Sequence, residues 1–192
     1  MPLPTPNSFD DKYGYQITRR WAKVMCKHWD HGCKKMNWTG IRNQLANLVT
    51  TVNIVFTGLI FACLYLGARK NPIYYAIGVI LVTVRQYLDM LDGAVARVCD
   101  MKSQFGNLYD HIADAFFILG MLGIFVYLMP PQSRMWAAGF ATFGMLLFLS
   151  DIIGVIEGFE DDSLMGTKIN DHLILVNLGF YVFLVACIEL SK

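Results

Sequence analysis

The sequence predicts an all-α integral membrane protein, and three observations carry that expectation. Of the 192 residues, 55% are hydrophobic and only 16% charged, against the quarter usual in soluble domains. Mean hydropathy is +0.43. Five apolar runs follow one another, most approaching the roughly 20 residues a helix needs to span a bilayer. Ahead of them lies a basic stretch with helical periodicity. The length suits one domain with an N-terminal extension: residues 1–40 as tail and amphipathic helix, 41–192 as a transmembrane bundle. A net charge of +1 gives no reason to expect a nucleic-acid partner.

Residues 1–12 (MPLPTPNSFDDK) are polar and Pro-rich, the composition of a mobile tail. From Tyr13 to Met36 the pattern turns helical, with Ile17, Trp21, Val24, Met25, Trp29 and Met36 near one face. Arg19, Arg20, Lys23, Lys27, Lys34 and Lys35 occupy much of the rest. A basic helix with Trp on its apolar side predicts a helix lying in the bilayer interface. Within it, Cys26, His28, His31 and Cys33 are close in sequence, but His28 points about 160° from Cys26 at about 100° per residue. Four convergent zinc ligands are therefore not expected there. The five cysteines are scattered and suggest no disulfide framework. No apolar N-terminal h-region of a signal peptide is visible.

The apolar runs are Leu45–Leu66, Ile73–Leu88, Ile112–Met129, Met135–Ile156 and Leu173–Leu190. The connections alternate: a short turn at ARKNP, a longer one carrying residues 89–114, a short turn at MPPQSR, then the longer GFEDDSLMGTKIND. The stretch before the first span, to Arg42, is rich in Lys and Arg, which predicts a cytoplasmic N-terminal side. The turn after the second span and the acidic turn near Asp161 then face the cytoplasm, and the C-terminal end lies on the far side.

The second run continues without a break into DMLDGAVARVCDMKSQFGNLYDHIAD, residues 89–114. Asp89 and Asp92 are i, i+3, and Asp110 and Asp114 are i, i+4, so each pair shares a helix face. If the two helices form a hairpin, all four carboxylates converge. Carboxylates at membrane depth are functional candidates by default, and four cannot remain ionised together without cations. Hard oxygen ligands suit Mg²⁺, Mn²⁺ or Ca²⁺ rather than zinc. From Pro72 to Asp89 a helix rises about 26 Å, close to the hydrocarbon thickness, which puts the carboxylates near the cytoplasmic membrane edge.

Written as D-x2-D-G-x2-A-R-x8-G-x3-D-x3-D, with Asp89, Asp92, Gly93, Ala96, Arg97, Gly106, Asp110 and Asp114 at the fixed places, the stretch resembles the signature of the CDP-alcohol phosphatidyltransferases. Eight specified positions at set spacing are far more specific than a short motif. The resemblance implies a phospholipid-synthesis enzyme that transfers a phosphate-linked alcohol from a CDP-alcohol to an acceptor hydroxyl or diacylglycerol and releases CMP. It implies two divalent ions, Mg²⁺ or Mn²⁺, on the four aspartates, with Asp114 also the general base. Gly93, Ala96, Arg97 and Gly106 are then the nucleotide-binding residues, and a homodimer is expected. Relatives usually have six spans; five are counted here.

Softer candidates surround this core. Relatives often carry Pro-Asn and then Thr in the first span; here Ala46 precedes Asn47, and Thr50 follows. Asn47 either bonds near the nucleotide and metals or serves helix entry. Arg85 either neutralises a carboxylate or snorkels to the surface. Lys102 and Gln104 lie on the signature turn, in reach of nucleotide or simply solvated. His111 beside Asp110 is reminiscent of the choline and ethanolamine phosphotransferases, but the glutamate those relatives place before the third aspartate is absent at 107–109. The size is more like the phosphatidylinositol, phosphatidylglycerophosphate or phosphatidylserine synthases. After Arg97 the only arginine is Arg134, so an arginine cluster for a phosphorylated acceptor is not evident; Lys168 and His172 are the later cytoplasmic-side basic residues. Two alternatives belong to other classes: a non-catalytic relative that binds cation or nucleotide, and a carboxylate-lined transporter.

Overall fold

The computed structural model describes residues 9, 11–36, 44–156 and 173–191, with backbone alone for 147–156 and 173. Residues 1–8 and 10 of the expected tail, the linker containing Arg42 and the acidic turn with Asp161, Lys168 and His172 lie outside the described residues. At the end of the tail, Phe9 packs against Tyr15, Met90 and Ile174, and Asp11 and Lys12 open a helical turn, so that part is packed and not mobile. Among those described, all regular structure is helical. One π-helical turn, Asp11–Tyr15, leads into α1 (Gln16–Met36). There follow α2 (Leu45–Arg69), α3 (Ile73–Val98), α4 (Gln104–Leu128), α5 (Pro131–Ile156) and α6 (Leu173–Leu190). Each predicted segment forms a helix. The largest boundary changes are at α3, which continues ten residues past Leu88 through the first half of the signature, and at α4, which begins eight residues before Ile112 because Ser103 caps it.

The signature turn has a defined local cause. Asp100 takes a left-handed φ of 54°, which an aspartate tolerates. The Met101 amide then donates back to the Ala96 carbonyl at 2.9 Å, closing a Schellman stop on α3. Ser103 is extended (φ −144°, ψ 152°), and its hydroxyl accepts the Gly106 amide as the N-cap of α4. At the opposite end, Asn71 Oδ1 accepts the Ile73 amide at 2.9 Å where α3 starts. Pro131 opens α5, a position where its missing N–H costs nothing.

α2 packs against both α3 and α4, and α6 packs on α3. The hairpin expected of the two signature helices is therefore built largely through α2, which lies against both. The main core joins Ile60 and Leu64 of α2, Val82 of α3, Phe117 and Met121 of α4, and Tyr181 and Leu184 of α6. Gly78 lets α6 approach α3 closely: a β-carbon there would collide with the Tyr181 ring. A second cluster, of Ala22, Leu45, Ala46, Ala94 and Val95, seats α1 over α2 and α3. The apolar side expected of α1 is thus divided. Met25 and Trp29 pack against this cluster, whereas Ile17, Trp21, Val24 and Met36 remain exposed.

One covalent link was not legible in the sequence. Cys26 of α1 and Cys99 at the end of α3 form a disulfide, with Cα atoms 5.8 Å apart across 73 residues. The pairing is a single link that the scattered cysteines did not suggest. It depends on α1 folding back along α3, which cysteine spacing does not report. Cys33 is buried as a free thiol. With His28 it lines a small apolar groove of about 300 Å³ between α1 and Leu45.

Candidate active site

A cleft of about 630 Å³ opens where α2, α3 and the start of α4 meet. Asn47 and Thr50 line it from α2, Asp92, Gly93, Ala96 and Arg97 from α3, and Gly106 and Asp110 from α4. Lys102, Ser103 and Gln104 close its rim along the signature turn. Asn47 and Thr50 of α2 thus share one wall with residues 42 to 63 positions further along the chain, because the Schellman stop and the Ser103 cap reverse the chain beside α2. His111 is not among the lining residues.

The two small residues of the signature have separate surroundings. A β-carbon on Gly93 would meet the Arg97 guanidinium at 3.3 Å. The bare backbone there leaves room for that half-buried side chain beside the cleft. On the facing helix, a β-carbon on Gly106 would lie 3.0 Å from Ser103 Oγ and 3.1 Å from Asn47 Oδ1. Asn47 lies inside α2, whose N-cap is Gln44, so its side chain belongs to the cleft wall rather than to helix entry.

The four aspartates do not meet at one point. They divide into two pairs. Asp92 and Asp110 line the cleft together. The Thr50 hydroxyl donates to Asp92 Oδ2 at 2.8 Å. Asp89 and Asp114 share one nitrogen of Arg85: its Nη2 donates to Asp114 Oδ1 and lies 3.6 Å from Asp89 Oδ1. Arg85 is 2% exposed and sits 4.4 Å over the Phe117 ring. Of its two possible roles, the structure selects the buried counter-charge and not the snorkelling anchor. The division has an electrostatic cause: carboxylates crowded in a low dielectric repel, and one guanidinium can satisfy only two of them.

Three amides around Asp89 escaped the sequence reading as a group. Asn53 of α2 donates to Asp89 Oδ1 and Gln86 to Asp89 Oδ2, both at 3.4 Å. Asn177 of α6 donates in turn to the Gln86 carbonyl oxygen. Asn53 and Gln86 are each 1% exposed. The signal that could have found them is a polar amide inside an apolar run, as at Asn53 and Asn177, since such groups must find partners.

Among the described residues, no three His, Cys, Asp or Glu side chains converge closely enough to form a ready-made metal cage. The donor set nevertheless fits a hard divalent ion. Asp110 Oδ1 and Asn53 Oδ1 are buried oxygens with no hydrogen-bond partner. Such acceptors are costly to bury unless a donor or a cation meets them.

A family model for CDP-alcohol phosphatidyltransferases matches residues 43–190, most of the chain and all of the helices from α2 to α6. The protein belongs to that family. It is accordingly a transferase of phospholipid synthesis, in a family that uses divalent metal ions. No curated protein and no solved structure matched the chain.

Proposed function

We propose that the protein is a membrane-embedded enzyme that transfers a phosphate-linked alcohol from a CDP-alcohol to an acceptor hydroxyl, releasing CMP. The single observation that carries this reading is the cleft, which gathers Asp92, Gly93, Ala96, Arg97, Gly106 and Asp110 on one surface with Asn47 and Thr50. The donor is CDP-diacylglycerol or a CDP-amino-alcohol.

In this reading the cytidine diphosphate lies along Gly93, Ala96 and Gly106, where short side chains keep the wall low. Arg97 and Lys102 donate to its phosphates, the arginine with a fork that suits phosphate geometry. Asp92 and Asp110, with Asp89 and Asp114 behind them, would hold Mg²⁺ or Mn²⁺, which would supply positive charge against the pyrophosphate and the departing CMP. Asp114 takes the proton of the acceptor hydroxyl through the oxygen not held by Arg85. The acceptor oxygen bonds to the phosphorus that carries the donor alcohol. The bridging P–O bond breaks, and CMP leaves with its electron pair.

Membrane embedding is supported by α2 and α4, each long and apolar enough to cross a bilayer. Large apolar side chains are also exposed on the outer faces: Val55, Ile80, Phe116, Phe143 and Phe183 among them, with Trp136 at 78%. So many exposed apolar side chains support an apolar surround. Exposed Ile17, Trp21 and Val24 on basic α1 support an interfacial helix, with residues 1–40 as an appendage to the bundle. The cleft then opens at the cytoplasmic edge, where a soluble nucleotide and a lipid both arrive. A homodimer remains part of the proposal.

The test offers CDP-diacylglycerol or CDP-choline with a panel of acceptor alcohols to purified protein, following CMP release and product mass. CMP release that requires an acceptor supports the enzyme. Donor binding without turnover across the panel would instead favour a non-catalytic relative.

A further inference from the structure

Arg85 is not one of the fixed residues of the signature, yet it makes closer contact with the carboxylates than any other basic side chain described. Its guanidinium bonds to Asp114 and lies 3.6 Å from Asp89. It is 2% exposed and held from below by the Phe117 ring at 4.4 Å. Its Nε has no hydrogen-bond partner. That loss is tolerated because the position is set by the two carboxylates and the ring. Gln86 and Asn53 fix Asp89 on its remaining sides, so the deep pair is assembled around a cation the chain supplies.

We propose that Arg85 is the resident counter-cation of the inner aspartate pair, and that in the nucleotide-free protein it restricts the four-aspartate cluster to one tightly held divalent ion, at Asp92 and Asp110. The inference rests on the metal-dependent reading above. A dication placed on Asp89 and Asp114 would sit against a guanidinium in a low-dielectric surround, where like charges repel strongly. Neither member of the outer pair is bonded to a guanidinium among the described ion pairs, although Arg97 lines the same cleft: Asp92 is bonded by a neutral hydroxyl, and Asp110 keeps a buried oxygen without a partner. A second ion is then recruited with the anionic nucleotide, whose phosphates supply the missing negative charge. Arg85 is thereby a positioning residue that orders metal loading.

The experiment counts Mn²⁺ ions bound to purified protein without nucleotide, from the free-ion signal in electron paramagnetic resonance. Wild type is expected to bind one ion tightly. Arg85→Met is expected to bind two, the second at least about ten-fold tighter than any second ion in wild type. Arg85→Lys, a point charge without the planar fork, is expected to fall between. Melting temperature is read in parallel. With its counter-cation gone, Arg85→Met should be destabilised in chelator and regain more stability on Mn²⁺ addition than wild type gains. If the Met variant does not fold even with Mn²⁺, Arg85→Gln takes its place, with the same expectation. Two tight ions in wild type, or the same number in wild type and the neutral variant, overturns the role of Arg85 while leaving the metal reading intact. No Mn²⁺ bound by either protein overturns both.

Discussion

Asp114 and Gly93 separate binding from chemistry at the level of single side chains. Asp114 is bonded to Arg85 through Oδ1, and an asparagine there keeps an oxygen that can accept the same bond. It cannot take a proton. Asp114→Asn is therefore expected to reduce CMP release at saturating donor by about 10²–10⁴ while changing donor affinity less. Titration of donor paired with single-turnover CMP release checks this. Normal turnover would remove Asp114 as the base. Gly93→Leu should do the reverse. A β-carbon there already meets the Arg97 guanidinium at 3.3 Å, so a leucine both displaces that side chain and fills the cleft. The variant is expected to remain inserted and folded but to lose CDP-ligand binding by at least about ten-fold, a loss of about 1.4 kcal/mol or more. Undiminished affinity in the folded variant would make Gly93 a packing residue.

At the scale of elements, α1 is tied to the site rather than merely preceding it. It packs on α3 through Ala22, Met25 and Trp29, and Cys26–Cys99 fastens it two residues beyond Arg97. Closing a loop of this length stabilises a fold by roughly 2–4 kcal/mol. Reductant is expected to lower the melting temperature of wild type to that of Cys26→Ser, and to leave Cys26→Ser unchanged. A wild-type melting curve indifferent to reductant would contradict the link. The helices themselves were legible because apolar runs and turn residues are local signals: Leu45, Ile73 and Leu173 begin helices where the sequence places them. The start of α4 was less so, since Ser103 and the left-handed Asp100 act through backbone geometry that an apolar pattern does not encode. The disulfide and the split apolar face of α1 depend on which helix α1 meets, and that is a tertiary fact.

For the whole molecule, the signature located the site and the fold supplied its division. Spacing alone paired Asp89 with Asp92 and Asp110 with Asp114. The structure pairs them differently, Asp92 with Asp110 on the cleft and Asp89 with Asp114 on Arg85. Sequence spacing describes neighbours on one helix, whereas the site is made by α2 lying between neighbours from two. Asn53 of α2 and Asn177 of α6 enter the same network from opposite sides, so the bundle as a unit sets the charge balance of the carboxylates. The central claim is that this balance is completed by a divalent ion when a cytidine diphosphate binds.

The direct measurement is equilibrium binding of a CDP-alcohol to purified, detergent-solubilised protein, first in chelator and then with Mg²⁺ or Mn²⁺ restored. Wild type should bind only with the ion present. Asp92→Asn, which alters the outer pair at the cleft, should need at least about ten-fold more ion to reach half-saturation, a shift of about 1.4 kcal/mol. Tight binding in chelator, equal to that with the ion, would contradict the account.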